Sequence, residues 1–278
     1  MNGLTGFDVA GWQPLSLAEL NARAPLLDRQ ENKYMLTSAI LAESVQPLRR
    51  QFDRLTINGT AAFTYETTYF DTNDLLTYRQ HAQGRRRRLK IRSRRYVHGD
   101  SYFFEVKLKG RRGRTIKERM PYRGPSHGRI GIDAHDFVRR CVRDSYGEEF
   151  VDGLAPTLAM RYRRITLVGK DTVERVTIDF DLEFAIPGGE VVAAPHGLLI
   201  VEVKSENGRG AADRILHRAG CRPARCSKYC IGLNLVRPGL QYNQFKRQLV
   251  NHFEWSPPTA RSQPGRVVWP PPAAKAVA

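Results

Sequence analysis

The sequence predicts an α+β fold of about eight mainly antiparallel strands with helices packed outside them. Three observations carry this. Apolar and polar residues alternate with period two in run after run. Residues 132–149 instead have helical spacing, with Phe137, Cys141 and Val142 on one side. Turn sequences such as His98-Gly99-Asp100 separate the alternating runs. A length of 278 residues allows one large domain or two small ones, and 41% hydrophobic content suffices for a core.

Residues 1–27 read as a loosely structured lead-in with one short helix at 16–23. A strand follows at 31–36 and a helix at 38–53, with Thr37 and Ser38 as candidate caps. The Thr/Tyr/Phe-rich segment 62–70 reads as a strand, and 71–74 opens a short helical turn toward His81. Three charged strands come next, at 86–96, 102–109 and 115–120. The helix at 132–149 leads to a hairpin of 158–168 and 172–184, and a last strand covers 198–205. Short helices are expected at 210–219 and 227–236, and one more within 241–253. Residues 237–256 then form a helical extension, and 257–278 a Pro-rich disordered tail.

The alternation separates two chemistries. In the first charged strand Arg86, Arg88, Lys90, Arg92, Arg94 and Tyr96 share a parity, against Leu89, Ile91 and Ser93. In the second, Phe103, Glu105, Lys107 and Lys109 oppose Phe104, Val106 and Leu108. In the third, Thr115, Lys117 and Arg119 oppose Ile116 and Met120. Later strands repeat the rule: Arg175, Thr177, Asp179, Asp181 and Glu183 share one face, and Glu202 and Lys204 another. Met160, Tyr162 and Arg164 share a face, as do Thr64, Glu66 and Thr68. Stacked cations repel one another, so with a net charge of +17 a polyanion is the expected partner. Two architectures fit these faces. Either the charged faces look at water, or the sheet closes and they line a lumen.

Several function classes are set aside by the same reading. No Walker A motif and no Ser-His-Asp or Cys-His constellation is present. Cys141, Cys221, Cys226 and Cys230 lack zinc-knuckle spacing and read as reduced core thiols. No secretory signal and no run of 18 apolar residues is visible, so a cytoplasmic protein without an integral membrane segment is expected. The basic faces carry few aromatics and interleave carboxylates, so nucleic acid is not the expected ligand, and a non-catalytic RNA- or polyanion-binding protein is the third-ranked reading.

Six short motifs occur in order: Arg29-Gln30-Glu31-Asn32-Lys33-Tyr34, Thr67-Thr68-Tyr69-Phe70-Asp71, Lys90-Ile91-Arg92-Ser93-Arg94-Arg95-Tyr96, Phe104-Glu105-Val106-Lys107, Val201-Glu202-Val203-Lys204-Ser205 and Cys226-Ser227-Lys228-Tyr229. Together, over residues 28–236, they resemble the catalytic domain of vacuolar transporter chaperone (VTC) polyphosphate polymerases, within the triphosphate tunnel metalloenzyme superfamily. The resemblance implies a closed antiparallel β-barrel around a basic tunnel. It also implies transfer of the ATP γ-phosphate onto inorganic polyphosphate with divalent manganese or magnesium. By motif it gives catalytic roles to Lys33, Arg92, Arg94, Lys107 and Lys228. Phosphate binding falls to Lys117, Tyr162, Arg164, Arg175, Lys204 and Ser227, and metal binding to Glu202. Arg29 stands where many triphosphatase relatives have a glutamate. A tunnel triphosphatase is the alternative, because Glu31, Glu66, Glu105, Asp179, Asp181 and Glu202 are carboxylates that could activate water with a metal.

Overall fold

The computed structural model describes residues 11–25, 30–110, 115–123, 127–150 and 153–257. The chain order is β1 (Pro14–Leu15), α1 (Leu17–Arg23), β2 (Gln30–Thr37), α2 (Ser38–Gln51), β3 (Phe52–Leu55), β4 (Phe63–Thr72), α3 (Leu76–Ala82), β5 (Leu89–Tyr96), β6 (Ser101–Lys109), β7 (Thr115–Pro121), α4 (Ile132–Tyr146), β8 (Leu154–Gly169), β9 (Arg175–Ala185), β10 (Val191–Ala193), β11 (Leu198–Ser205), α5 (Ala211–Arg218), α6 (Lys228–Val236) and α7 (Lys246–His252). This is the expected α+β class. Arg29 and the segment 258–278 lie outside the described residues.

The strands form one sheet in the order β2-β11-β9-β8-β4-β5-β6-β7. These eight are the strands the alternation predicts. Three short strands join them: β1 pairs parallel with β3, β3 pairs with β8, and β10 pairs with β9. The helix expected at 38–53 stops at Gln51, and β3 follows it directly.

Among the described residues the sheet is not closed by hydrogen bonds, which corrects the closed barrel: β2 and β7 end the strand order without pairing to each other. It is strongly rolled nonetheless. Six strand spacings separate β2 from β6, roughly 29 Å in a flat sheet. Yet Lys107 Nζ on β6 lies 3.6 Å from Glu31 Oε2 on β2. Side chains bridge the seam that the backbone leaves open.

Two faces result. Outward, Leu199, Val201, Val203, Val176 and Ile178 pack beneath α2 and α5, while Ile91, Phe104 and Val106 pack beneath Phe137 and Val138 of α4. Inward, Leu158, Met160, Leu182 and Phe184 pack against Tyr229, Ile231 and Leu233 of α6. A side chain at Gly232 would lie 2.5 Å from a Phe184 ring carbon and 2.8 Å from a Leu158 methyl. Only glycine lets α6 seat this closely, and that seat fixes where Lys228 points.

Two of the carboxylates that the sequence offers as water-activating candidates leave the inner face, one through a break in alternation and one by register. In β9 the register with β8 shifts between Arg161 and Arg163, and Asp181 takes the left-handed conformation with φ 51°. Aspartate is one of the few residues that accept it. The extra residue turns Leu182 and Phe184 inward with Met160, while Phe180 packs outward. Asp181 meets Arg163 instead, at 3.4 Å, away from Asp179. In β4 the inward residues are Tyr65, Thr67 and Tyr69. Glu66 therefore faces outward, toward Arg95 at 3.4 Å and Arg161 at 3.9 Å. Neither carboxylate belongs to the inner face.

Candidate functional site

The inner face of the rolled sheet gathers cations from six elements. Lys33 comes from β2, Arg92 from β5, Lys107 from β6, Lys117 from β7, Arg164 from β8 and Lys228 from the first turn of α6. Cross-strand register sets their neighbours: Lys33 lies opposite Glu202, Arg92 opposite Glu105, Lys107 opposite Lys117, and Arg164 opposite Asp179.

Two clamps organise this face. In the first, Glu105 is 1% exposed and accepts from Arg92 Nε at 2.7 Å, with Arg92 Nη2 at 2.6 Å and Lys117 Nζ at 2.5 Å. Arg94 stands 3.8 Å from the same carboxylate and donates to Thr67 Oγ1 at 3.4 Å. Burial alone would push the Glu105 carboxyl up, but Arg92, Arg94 and Lys117 outweigh it and hold it well below the usual range. In the second clamp, Arg164 grips Asp179 with Nε at 2.5 Å and Nη2 at 2.8 Å. Lys228 Nζ bridges Asp179 at 2.7 Å and Glu202 at 2.8 Å. Lys33 continues the chain, 3.6 Å from Glu202 and 3.0 Å from Glu31. Burial opposes ionisation here as well, yet Lys228 and Lys33 keep Glu202 far below its ordinary value, and Glu31 falls to about 2.

Other cations carry no such clamp. Lys90 faces inward beside Arg92 and has no carboxylate partner among the described residues. Burial first, then Lys33 and Lys107, bring its pKa down to about 8. Burial brings Lys204 to about 8 as well, and burial with Arg92 and Arg94 does the same to Lys117 even though Glu105 holds it in the first clamp. A cavity of about 350 Å³ opens at this end of the face, lined by Arg88, Lys90, Lys107, Lys109 and Arg225 together with His81, Cys226 and Ser227. Its lining contains no carboxylate. His81 donates from Nδ1 to Thr77 O at 2.9 Å, and burial, then Lys90, lowers its pKa to about 2, so it stays neutral there.

Of the residues singled out by sequence, Lys33, Arg92, Arg94, Lys107, Lys117, Arg164, Glu202 and Lys228 converge on these clamps, and Lys204 lies opposite Glu31. Tyr162 stacks on Tyr65 at 5.3 Å and lies beneath Arg164 and Lys228, at 5.4 and 5.8 Å. Its hydroxyl is buried without a hydrogen-bond partner among the described residues, as is Thr177 Oγ1. Ser227 caps α6 by accepting from Cys230 N at 3.2 Å, and it also lines the cavity. Arg175 turns away and donates to Ala24 O, bracing the segment after α1. Asp71, in the Tyr-Phe-Asp motif, is wholly buried. It accepts from Thr77 N and Tyr78 N at 2.8 Å and from the Tyr229 hydroxyl, tying α3 to α6. The sequence reading puts Lys90, with Arg88 and Arg86, near the mouth of the tunnel without a catalytic or binding role, and Lys90 and Arg88 line the cavity at this end of the face.

The carboxylates do not build a metal cage: among the described residues no three His, Cys, Asp or Glu side chains converge. A cation that arrives with phosphate oxygens needs only one or two protein carboxylates, and oxygen donors suit magnesium or manganese. Glu202 and Glu31, joined through Lys33, form a pair that fits that more modest role. The four cysteines are all buried and free. No helix among the described residues is long and apolar enough to cross a membrane.

Comparison with known proteins gives one family and a set of distant structures. The VTC domain matches residues 28–237. A putative adenylate cyclase from Bacillus halodurans is 13% identical, with a TM-score of 0.47 over 72% of this chain and 93% of its own. A putative adenylyl cyclase from Hippeastrum, described as having a dominant triphosphatase activity, is 16% identical, with a TM-score of 0.44 over 76% of this chain and 97% of its own. A protein from Pyrococcus horikoshii is 13% identical, with a TM-score of 0.40 over 74% and 98%. No curated protein matches the chain.

Proposed function

The chain belongs to the VTC domain family, and from that premise we propose that it is a polyphosphate polymerase, moving the γ-phosphate of ATP onto inorganic polyphosphate. The observation that carries the reading is the convergence of Lys33, Arg92, Lys107, Lys117, Arg164 and Lys228 on one rolled face. On this reading that face is the wall of a phosphate-binding tunnel whose seam is bridged by Lys107 and Glu31, within a catalytic domain spanning residues 28–236.

Phosphoryl transfer needs little covalent help from the protein. The work is to hold donor and acceptor in line and to stabilise the spreading negative charge. Arg92 and Lys117 on one wall, with Arg164 and Lys228 on the other, present charge from fixed positions, because Glu105 and Asp179 hold the guanidinium groups in place. Lys33 and Lys107 add charge between them. A terminal phosphate oxygen of the acceptor forms a bond to the γ-phosphorus, and the bond to the β–γ bridging oxygen breaks. ADP leaves with that electron pair, and any proton on the acceptor oxygen passes to solvent. A divalent metal bound with the nucleotide would neutralise phosphate charge, held on the protein side by Glu202 and Glu31.

The clamped carboxylates suit transfer to an anionic acceptor better than general-base activation of water. A water-activating base needs a proton affinity near the working pH. Glu105, Asp179 and Glu202 are all held below their ordinary values by clamped cations. An anionic phosphate acceptor needs no base. Purified protein given ATP and magnesium or manganese should yield long polyphosphate on a gel. ADP with orthophosphate alone would replace the polymerase by a triphosphatase.

A further inference from the structure

The two ends of the inner face differ in chemistry. Along β5 the inward residues run Lys90, Arg92, Arg94, Tyr96; along the antiparallel β6 they run Lys109, Lys107, Glu105, Phe103. Cation thus gives way to aromatic on both strands. Tyr96 and Phe103 are half-buried and meet edge to face at 5.8 Å, and Tyr96 meets Tyr65 at 5.0 Å. The Arg119 guanidinium lies over Phe103 at 4.9 Å and has no ion-pair partner among the described residues. Tyr96 rests with one side on the inner apolar cluster that holds Tyr65 and Tyr162, and both rings stay half-exposed. These stand among Arg94 and Arg119 at the rim of a basic face, the arrangement that receives a flat, electron-rich ring attached to phosphate.

We propose that this aromatic rim binds the nucleobase of the donor through Tyr96, Phe103 and Arg119, so that the protein selects a nucleoside triphosphate over inorganic triphosphate. The inference rests on the reading of the central clamps as the triphosphate site. From Tyr96 to Arg92 is four residues of strand, roughly 13 Å, the reach of a nucleoside extended with its phosphates. In-line transfer requires the acceptor to approach opposite the leaving group. A donor lying toward the aromatic rim therefore leaves the carboxylate-free cavity, at the other end of the same strands, to the acceptor chain.

Calorimetric titration of the full chain with ATP and, separately, with inorganic tripolyphosphate tests the proposal. Tyr96→Leu and Phe103→Leu should each weaken ATP binding about tenfold and leave tripolyphosphate within twofold of wild type, with Tyr96→Trp restoring ATP affinity. Equal loss for both ligands would overturn the proposal, since it marks a structural defect, and so would unchanged ATP affinity in both variants. Arg119→Gln, at an exposed position, should reproduce the selective loss more weakly. The outcome is separable from the polymerase reading. A protein that makes no polymer yet loses only ATP affinity in these variants keeps the rim and loses the polymerase. One that makes polymer but binds ATP unchanged in the Leu variants keeps the polymerase and loses the rim.

Discussion

The middle of the inner face and the cavity at its end are both crowded with cations, but they are held in opposite ways. In the middle each charge has a carboxylate: Glu105 serves Arg92 and Lys117, Asp179 serves Arg164 and Lys228, and Glu202 serves Lys228 and Lys33. At the cavity Arg88, Lys90, Lys109 and Arg225 have none among the described residues. The middle is therefore positioned whether or not an anion is bound, at the cost of burying paired charge. The cavity stays electrostatically frustrated until an anion arrives. Positioning and attraction are divided between two regions of one surface.

That division predicts effects of opposite sign. Lys228→Ala should have the largest. It strips Asp179 and Glu202 of a shared partner and should lower folding stability by about 3 kcal/mol, the usual consequence of leaving a buried charge unpaired. Polymer synthesis should fall below detection; a denaturant titration and a polymerase assay check the two halves. A variant with wild-type stability would show that the clamp is not a structural element. Next, Gly232→Ala should lower stability by about 1–3 kcal/mol through overpacking against Phe184 and Leu158. It should slow synthesis by moving Lys228 without touching any charge. If the rate is unchanged, the seat of α6 does not govern Lys228.

The third prediction concerns pH. Lys90, Lys117 and Lys204 have folded-state values near 8, below their ordinary 10.5. Below pH 8 these lysines are charged whether folded or unfolded, so the folded protein bears the full cost of crowding them. From pH 8 to 10.5 the unfolded chain binds more protons, and the contribution of these groups to stability rises. Tripolyphosphate binding needs the charges, so it should weaken over the same interval. Melting curves at pH 7.5 and 9.5, with and without tripolyphosphate, should show the ligand-induced shift shrinking at high pH. A constant shift would mean that these lysines do not meet the ligand. The smallest effect is expected for Lys90→Met, which should leave stability unchanged or raise it by up to about 1 kcal/mol by relieving repulsion, while weakening tripolyphosphate binding severalfold. Loss of stability would move Lys90 into the clamped class.

How far the sequence discloses this molecule depends on which force sets each feature. The eight strands of the main path are legible because burial on one face imposes period two on every one of them. β1, β3 and β10 span two to four residues and are too short to show a period. The run from Arg175 to Ala185 alternates without a break, so nothing in its pattern marks the bulge at Asp181. A backbone irregularity of one residue leaves no trace in the order of side-chain polarity. Glu66 misleads for a related reason: Tyr65, Thr67 and Tyr69 suit either face, and only register decides that they turn inward. The cations and carboxylates of the site are readable from parity and motif, whereas which carboxylate holds which cation depends on strand register and on where α6 seats Lys228. The open seam is invisible too, because closure depends on how far a sheet coils and not on the composition of any strand.

That seam changes how a long polymer would travel. A ring of hydrogen-bonded strands is a closed sleeve that a chain must enter and leave end first. A rolled sheet in which Lys107 of β6, one strand in from the edge, reaches Glu31 of the edge strand β2 at 3.6 Å is closer to a clasp. Exchanging one ion pair loosens it, with no strand unpaired. On the polymerase reading, a chain lying along the inner face would have a sideways exit through this clasp, and the number of phosphates added per encounter would follow how often it opens.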